Sequence, residues 1–401
     1  MRSVFLKSLC LLALAAGEGW AMSLYDTAPA IGLPVSEALK YTLTARMGYN
    51  DNLNSTRDRK TRSMYTGLNL QASYSDFESV DKKTLSATLG ATYYFKRAYS
   101  TNNKWFSNNN ITASLSHRFS DRMTYSVHAS LRYQPEPDYS NGMSASRAQG
   151  DCFNWSLSNA VTRSIDARWN WSANASYTGN TYSTSAYRGD NRQYINSGLS
   201  LTLRPMEHVS YSLNMRYRYD LKDYGYNSNN LYGTLSMSRS LTPYSSMNVS
   251  VGVQRKYIHG HRITTPTFRG GYNRTVVEGL SANCFASLDN ENVNTYRGAL
   301  GNYLSNPTWR IGVTCSYKFT PDLSFNFGCS FYQSNYYKGE KSLGNSRTYS
   351  WNPMVGATFR ITDKIRGNIH YTYTASNSSY GSSTNNKHYR NNISASASYT
   401  F

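Results

Sequence analysis

The chain has 401 residues and a formal net charge of +19, from 42 Lys and Arg against 23 Asp and Glu. Only 39% of the residues are hydrophobic, yet 14% are aromatic, including 36 Tyr. A soluble protein of this length usually divides into domains with large aliphatic cores, and a disordered chain is poor in aromatic residues, so the composition argues against both classes.

The first 21 residues have the pattern of a secretory signal peptide. Arg2 and Lys7 form a positive start, residues 9–16 are apolar, and a small-residue cleavage site ends at Ala21. The apolar stretch is too short to span a bilayer. We therefore expect residues 1–21 to be removed and residues 22–40 to form a periplasmic N-terminal segment.

From residue 41 to the C-terminus, apolar and polar residues alternate with a period of two. The last segment shows the pattern: Ile393, Ala395, Ala397, Tyr399 and Phe401 alternate with Asn392, Ser394, Ser396, Ser398 and Thr400. Successive residues of a β-strand point to opposite faces, so each such run predicts a strand with one apolar and one polar face. Counting runs over residues 41–401 predicts about 18 strands. Residues 264–307 are the least regular, which leaves a range of 16–18.

Two kinds of connection separate these strands. Short turns are predicted at 120–122, 204–207, 241–244, 320–322 and 361–363. Longer polar loops are predicted at 50–62, 97–108, 135–151, 180–192, 221–228, 258–266, 292–307, 337–347 and 376–387. Short turns at one rim and long loops at the other are typical of outer-membrane barrels. The predicted fold class is therefore all-β, a transmembrane antiparallel β-barrel with short periplasmic turns and long extracellular loops.

A soluble β-sandwich is the main alternative fold. Sandwich cores are formed by Val, Ile and Leu, whereas the apolar face here is mostly Ala, Tyr, Phe, Leu and Gly. Aromatic residues also gather at both ends of the strands, for example Tyr49 and Tyr257 near long loops and Phe119 and Phe319 near short turns. Two such girdles are typical of a membrane barrel, which we favour.

Two short segments resemble known outer-membrane proteins. Ser398–Tyr399–Thr400–Phe401 resembles their C-terminal signature, which implies that Tyr399 and Phe401 act as a signal for the barrel assembly machinery. Residues 48–54 resemble the opening strand of a family of outer-membrane β-barrel porins, with Asn50 in place of the commoner acidic residue. The resemblance implies an outer-membrane location and a porin-like role, without a substrate.

The polar face of the strands would line the barrel interior, and it is rich in cations. The predicted lumen-lining residues are Arg46, Arg118, Arg132, Arg168, Arg216, Arg218, Arg310, Lys318 and Arg366. Inward acids are few, mainly Asp220 and Asp289. Rings of Arg and Lys select anions. The predicted function is passive diffusion of small hydrophilic, anionic solutes; the alternative is a closed or narrow barrel that acts as a surface scaffold or in polysaccharide export.

No pattern of catalytic or metal-binding residues accompanies the alternation. A G-x-S-x-G motif is missing from the sequence, and His128 and His370 have no Ser and acid partners at a recognisable spacing. His259 and His261 are expected in an exposed loop, and Cys315 and Cys329 are expected to be unbridged. We therefore expect no enzyme activity, no cofactor and no metal. The expected partners are outer-membrane lipid, lipopolysaccharide and small solutes, not nucleic acid, and a homo-oligomer is left open.

Overall fold

The computed structural model describes residues 38–52, 60, 62–77, 80–96, 104–134, 152–182, 191–223, 226–290, 305–337, 343–380 and 384–401. The predicted signal peptide and residues 22–37 of the predicted periplasmic segment lie outside these ranges, as does the predicted loop 135–151. The first strand begins at Leu39, two residues before the predicted start of the barrel. Within the described ranges, no helix is long and apolar enough to cross a membrane.

The described residues form eighteen antiparallel strands in one sheet, so the predicted number of 18 is confirmed. The strands are β1 Leu39–Asn50, β2 Ser63–Phe77, β3 Asp81–Lys96, β4 Lys104–Ser120, β5 Met123–Gln134, β6 Cys152–Ser164, β7 Trp169–Tyr182, β8 Arg192–Met206, β9 Val209–Lys222, β10 Ser228–Thr242, β11 Ser245–Ile258, β12 His261–Val277, β13 Leu280–Asn290, β14 Pro307–Thr320, β15 Leu323–Tyr337, β16 Leu343–Arg360, β17 Ile365–Tyr380 and β18 Thr384–Thr400.

The first and last strands pair and close the sheet into a barrel. β1 runs antiparallel to β18, with Leu43 opposite Tyr399 and Gly48 opposite Ser394. Beyond this ladder, the backbone N–H of Phe401 donates to the carbonyl of Tyr41 at 2.9 Å. Closure satisfies the backbone groups that an open sheet edge would leave unpaired, as a structure inside a bilayer requires.

Large apolar side chains are exposed on the outer face of the barrel. Met47 is 65% exposed, Leu199 61% and Leu213 52%. Others on the same face include Leu68, Leu157, Leu235, Val251, Ile311, Phe327, Trp351, Val355, Ile369 and Ile393. An apolar surface of this extent is not stable against water. It forms the lipid-facing belt of a transmembrane barrel.

Short turns join the strands at the periplasmic end, as predicted. Pro321–Asp322, Pro243–Tyr244 and Asp121–Arg122 are two-residue turns, and residues 361–364 form a four-residue turn. The turn predicted at 204–207 is instead Glu207–His208, because β8 continues to Met206. The structure adds further tight connections at 165–168 and 278–279. We call this rim the turn end and the opposite rim the loop end.

The predicted loop 258–266 is wrong. β11 and β12 are joined at the loop end by His259–Gly260 alone, and His261 already belongs to β12. His259 has a φ of 46° and Gly260 a φ of 76°. Positive φ at both central residues is the conformation that two-residue hairpins prefer. Gly270 and Gly271, which interrupted the sequence alternation, lie within the continuous strand β12.

The four described cysteines are free. Cys315 lies opposite Phe327, and Cys329 lies opposite Val313, so the two cysteines are offset along the strands. The expectation that they are unbridged is confirmed.

Candidate functional site in the barrel lumen

The inward faces of the strands are polar, and their burial differs between the two ends of the barrel. Near the loop end, many inward side chains are less than 3% exposed, including Thr92, Asp220, Asn230, Gln254, Lys256, Thr308, Ser350, Ser378 and His388. Near the turn end, inward side chains such as Lys318 and Arg366 are exposed. The lumen is therefore narrow and packed with polar groups in its loop half, and open in its turn half.

One wall of the narrow half is built by alternate residues of β9. Arg216, Arg218 and Asp220 share one face because they are two residues apart. The register with β10 places Ser228 opposite Asp220, Asn230 opposite Arg218 and Tyr232 opposite Arg216. We call these six residues, together with Gln254 of β11, the β9–β11 cluster.

Asp220 is the centre of the β9–β11 cluster. Its side chain is buried, with 2% of the residue exposed. The Nε of Arg218 donates to Oδ1 at 2.6 Å. Ser228 Oγ donates to Oδ2 at 3.1 Å, and Asn230 Nδ2 donates to it at 2.9 Å. A buried carboxylate is stable only with such pairing, so these contacts fix Arg218 in place.

Two arginines of the cluster stack on tyrosine rings. The guanidinium carbon of Arg216 lies 4.0 Å from the ring centroid of Tyr232. That of Arg218 lies 4.3 Å from the ring of Tyr194 on β8. Stacking stabilises a cation while leaving its N–H edges free to donate in the ring plane. This is the geometry with which arginine binds a carboxylate or phosphate.

The cluster continues onto β11. Gln254 Nε2 donates to Asn230 Oδ1 at 3.1 Å and to the Tyr232 hydroxyl at 3.0 Å. Lys256, two residues further along the same face, is 2% exposed and lies opposite Asn230. The hydrogen bonds hold Tyr232 rigidly beneath Arg216, and Lys256 adds a third cation to this wall.

A second charged group lies on the neighbouring strands β12–β14. Arg269 Nη2 contacts Asp289 Oδ2 at 3.1 Å. Arg310 lies opposite Ser287 in the β13–β14 register, two residues from Asp289. A cavity of about 410 Å³ is bounded by both charged groups, including Arg216, Tyr232, Arg269 and Asp289. Along this wall, arginines therefore outnumber carboxylates, and each carboxylate has an arginine partner.

The structure places most of the predicted lumen-lining residues on inward strand positions. Arg46 contacts the Thr92 hydroxyl across the lumen-facing side of β1–β3. Arg132, Arg216, Arg218 and Arg310 also have inward parity, since their strand neighbours at odd positions are the exposed apolar residues.

Three predicted residues lie at the turn end instead of within the narrow half. Arg118 pairs with Asp121 at 2.7 Å. Lys318 lies opposite Ser324, next to the β14–β15 turn. Arg366, predicted to line the lumen, is the second residue of β17 and lies opposite Arg360. These three cations lie in the open turn half of the lumen.

The structure corrects the expected position of Arg168. It was expected on a strand facing the lumen, but β6 ends at Ser164 and β7 begins at Trp169, so Arg168 belongs to the turn between them. Hydrogen bonds to the Asp166 side chain stabilise this turn. Asp166 Oδ1 accepts the backbone N–H groups of Arg168 and Trp169, each at 2.7 Å. These two bonds hold the pKa of Asp166 below its ordinary value, and the bond from Trp169 has the larger effect.

Several inward cations were missed in the sequence. Lys256, Arg269 and Arg390 face the lumen, on β11, β12 and β18. Each lies beside a segment that was read as a loop or as irregular. These cations alternate with neighbouring apolar residues in the sequence. They were missed because the strands extend further towards the loop end than predicted.

The described residues hold no cluster of metal-binding side chains. Among them, no group of three or more His, Cys, Asp and Glu could hold a metal ion. The His259 ring stacks on Tyr226 with a centroid distance of 3.7 Å, at the tip of the β11–β12 hairpin.

Comparison with solved structures identifies the same fold in outer-membrane proteins. The outer-membrane protein OpdK of Pseudomonas aeruginosa, also named OccK1, is 12% identical, with a TM-score of 0.53 over 91% of this chain and 99% of that chain. OccK7 (OpdD) of the same organism is 12% identical, with a TM-score of 0.51 over 90% and 99% of the two chains.

Comparisons at the level of sequence find nothing similar. No family model matches the chain, and no curated protein matches it. At 11–12% identity the structural likeness shows the fold. This fold and the apolar belt place the chain across the outer membrane as a multi-pass barrel.

Proposed function

We propose that the protein is an outer-membrane porin through which small hydrophilic solutes diffuse passively, with a preference for anions. The observation that carries the proposal is the charge of the inward wall. Arg216, Arg218 and Lys256 line it on β9–β11, and Arg269 and Arg310 on β12–β14. The inward acids of the described strands are Asp220 and Asp289, and both are ion-paired.

The physical reason for an anion preference is the excess of cations in the narrow half. A charged wall lowers the energy of counter-ions in a pore and raises that of ions of like charge. Arg216 stacks on Tyr232, is exposed, and belongs to none of the salt bridges found among the described residues, so its guanidinium is available to a solute. We infer that Arg216 is a residue at which a carboxylate or phosphate group binds on passage.

The structural neighbours suggest a substrate class. P. aeruginosa OpdK has been crystallised with vanillate, and that complex is 12% identical to this chain with a TM-score of 0.52. Vanillate is an aromatic carboxylate, and the alternation of Arg with Tyr in the β9–β11 cluster suits a flat anion of this kind. Small carboxylates are therefore the solutes to test first.

Planar-bilayer recording tests the proposal. Purified protein reconstituted under a KCl gradient is expected to conduct, with a reversal potential on the chloride side. A cation-selective reversal potential contradicts the anion preference. Complete lack of conductance from correctly folded protein contradicts the pore.

A second function is favoured by the burial of the loop half. Inward side chains such as Thr308, Ser350 and Ser378 have no exposed surface. A lumen filled to this degree suits a narrow barrel used as a surface scaffold or in export of polysaccharide. The same bilayer recording separates the two, because a scaffold would not pass small ions.

The remaining assignments follow from the sequence patterns. We propose that residues 1–21 are a signal peptide and that residues 22–38 precede the barrel in the periplasm, since β1 begins at Leu39. We also propose that Tyr399 and Phe401, whose rings lie 4.8 Å apart, are the signal for barrel assembly. The likeness of residues 48–54 to one porin family supports the porin proposal.

A further inference from the structure

The outer face of the barrel carries a basic patch at the loop end of β11 and β12. It consists of Arg255, Tyr257 and Arg262, and we call it the rim patch. Arg255 and Tyr257 continue the outward row of Val251 and Val253, which are each 49% exposed. Tyr257 lies directly opposite Arg262 in the strand register. All three side chains therefore belong to the face that meets lipid, not to the lumen.

The two arginines of the rim patch converge on one ring. The guanidinium carbon of Arg255 lies 5.3 Å from the ring centroid of Tyr257, and that of Arg262 lies 5.7 Å from it. Both distances are within the range of a cation–π contact. The ring therefore holds two like charges at the same place on the surface, an arrangement that is favourable when an anion shares them.

Neither arginine has a carboxylate partner in the described part of the chain. The ion pairs found there do not include Arg255 or Arg262, and both side chains are exposed. The hairpin above the patch ends in the two-residue turn His259–Gly260. This hairpin therefore adds no further chain between the patch and the outer surface of the membrane.

The height of the patch matches the headgroups of the outer leaflet. Arg255 follows Met247, an outward residue near the turn end, by eight positions on β11. At about 3.3 Å per residue and a tilt of about 40°, these positions span about 20 Å along the membrane normal. The apolar belt of such barrels is about 25 Å tall. A long arginine side chain at this level reaches the polar boundary of the belt.

Apolar side chains lie beside the patch and continue from it along β11 towards the membrane centre. Leu231 of β10 lies directly opposite Arg255 and is 48% exposed. Val253 precedes Arg255 on the same face and lies opposite Pro266. The outer face here thus presents two cations at the headgroup level and an apolar strip beneath them, which is complementary to a lipid that has anionic headgroups and acyl chains.

We propose that the rim patch binds the phosphorylated headgroup of lipopolysaccharide in the outer leaflet. Arg255 and Arg262 donate hydrogen bonds to a phosphate, and the acyl chains lie against Leu231 and Val253. The proposal concerns the lipid-facing surface and is independent of whether the lumen conducts.

Binding of purified full-length protein to lipid A tests the proposal. Native mass spectrometry is used to measure retention of bis-phosphorylated lipid A, of dephosphorylated lipid A and of phosphatidylglycerol by wild type and by Arg255→Ala/Arg262→Ala. Near an anionic surface each arginine contributes about 1 kcal/mol, a factor of about five, so the double variant should bind phosphorylated lipid A about thirtyfold more weakly.

A matched variant controls for the loss of two charges. Arg239 and Arg274 are also exposed and have outward parity, but they lie at the turn end of β10 and β12. Arg239→Ala/Arg274→Ala is expected to bind lipid A as wild type does. The heat-dependent gel mobility of all variants reports whether the barrel has folded.

Four results would contradict the proposal that the rim patch binds lipopolysaccharide. Equal binding of lipid A by wild type and the Arg255→Ala/Arg262→Ala variant overturns the proposal, and so does an equal loss in the control variant. Retention of dephosphorylated lipid A as strongly as the phosphorylated form excludes phosphate recognition. Equal retention of phosphatidylglycerol shows a general anionic-lipid surface, which also overturns the assignment to lipopolysaccharide.

Discussion

Asp51, the residue after β1, accepts two hydrogen bonds from Asn391 of β18, one from its backbone N–H and one from its side-chain amide, each at 2.6 Å. The Tyr371 hydroxyl donates to the Asn391 Oδ1 at 2.7 Å, and Asn52 Nδ2 donates to the Tyr389 carbonyl at 2.8 Å. Residues Asp51 and Asn52, part of the segment 48–54 that resembles a porin family, therefore extend the closing seam between β1 and β18 beyond its last paired residues, Asn50 and Asn392.

Asp51→Ala should weaken the seam. Removing the carboxylate leaves two donors of Asn391 without their acceptor in a half-buried place, which costs about 1–3 kcal/mol of unfolding free energy. Urea-induced unfolding of the reconstituted barrel, followed by tryptophan fluorescence, measures the loss.

The control is a carboxylate between two internal strands. Asp81, whose side chain is 31% exposed, accepts a 2.6 Å bond from His117 across β3–β4, near the turn end. Asp81→Ala should cost less than about 1 kcal/mol. An equal loss in the two variants would show that the seam has no special dependence on Asp51.

Arg216→Ala should reduce the anion preference that we propose for the pore. A unit charge about 7 Å away in water changes the energy of a monovalent ion by about 0.6 kcal/mol, with opposite sign for anions and cations. The ratio of anion to cation permeability should therefore fall about sevenfold. The reversal potential in a salt gradient measures this ratio.

Two further variants frame the Arg216 measurement. Arg239→Ala removes an outward arginine and should leave the ratio unchanged. Asp220→Asn removes the buried carboxylate that pairs with Arg218 and should raise the ratio. If Arg239→Ala shifts the reversal potential as far as Arg216→Ala, the selectivity does not arise from the lumen wall.

Gly179→Ala should destabilise the barrel. A β-carbon at Gly179 would overlap the Trp155 indole, which lies across this glycine on the neighbouring strand. Such overpacking costs about 1–3 kcal/mol. Gly233 is the matched control, because a β-carbon there has no atom within 4 Å. Gly233→Ala is expected to be neutral or slightly stabilising in the same unfolding assay, and a similar loss at both sites would refute the packing argument.

The contribution of Asp166 to stability should depend on pH. The backbone N–H groups of Trp169 and Arg168 hold its folded-state pKa below the ordinary value of 3.8. A carboxyl with a lowered pKa stabilises the fold above its ordinary pKa and loses that contribution as the pH falls through the folded value. The difference in Tm between wild type and Asp166→Ala should therefore be present at pH 6 and shrink below pH 3.8. A difference that is constant with pH would exclude the ionised carboxylate as its cause.

The fold could be predicted from the sequence because strand parity is a local property. The alternation around Ile393 or Val313 identifies the lipid-facing side without any knowledge of the neighbouring strands. The turns at Pro243 and Pro321 could likewise be predicted from the residues of each turn alone. The His259–Gly260 hairpin was missed because a polar stretch between strands was interpreted as a loop, although its positive-φ pair is a known hairpin turn.

The candidate site was only partly predictable. Parity placed Arg216 and Arg310 in the lumen, but the height of a residue along the barrel axis depends on register and on where each strand ends. Arg366 therefore proved to be at the turn end, and Arg168 proved to be in a turn. The contacts of Asp220 with Asn230 and Ser228 join two strands, and alternation within one strand carries no information about them.

The difference in burial between the two halves of the lumen also has an electrical consequence. In the proposed pore, the turn half and the loop half act as two resistors in series. The packed section around Lys256 and Gln254, both at most 2% exposed, has much the higher resistance. Most of an applied transmembrane voltage would fall across this section. An ion would thus enter from the periplasm almost without a field and feel nearly all of it beside the arginines.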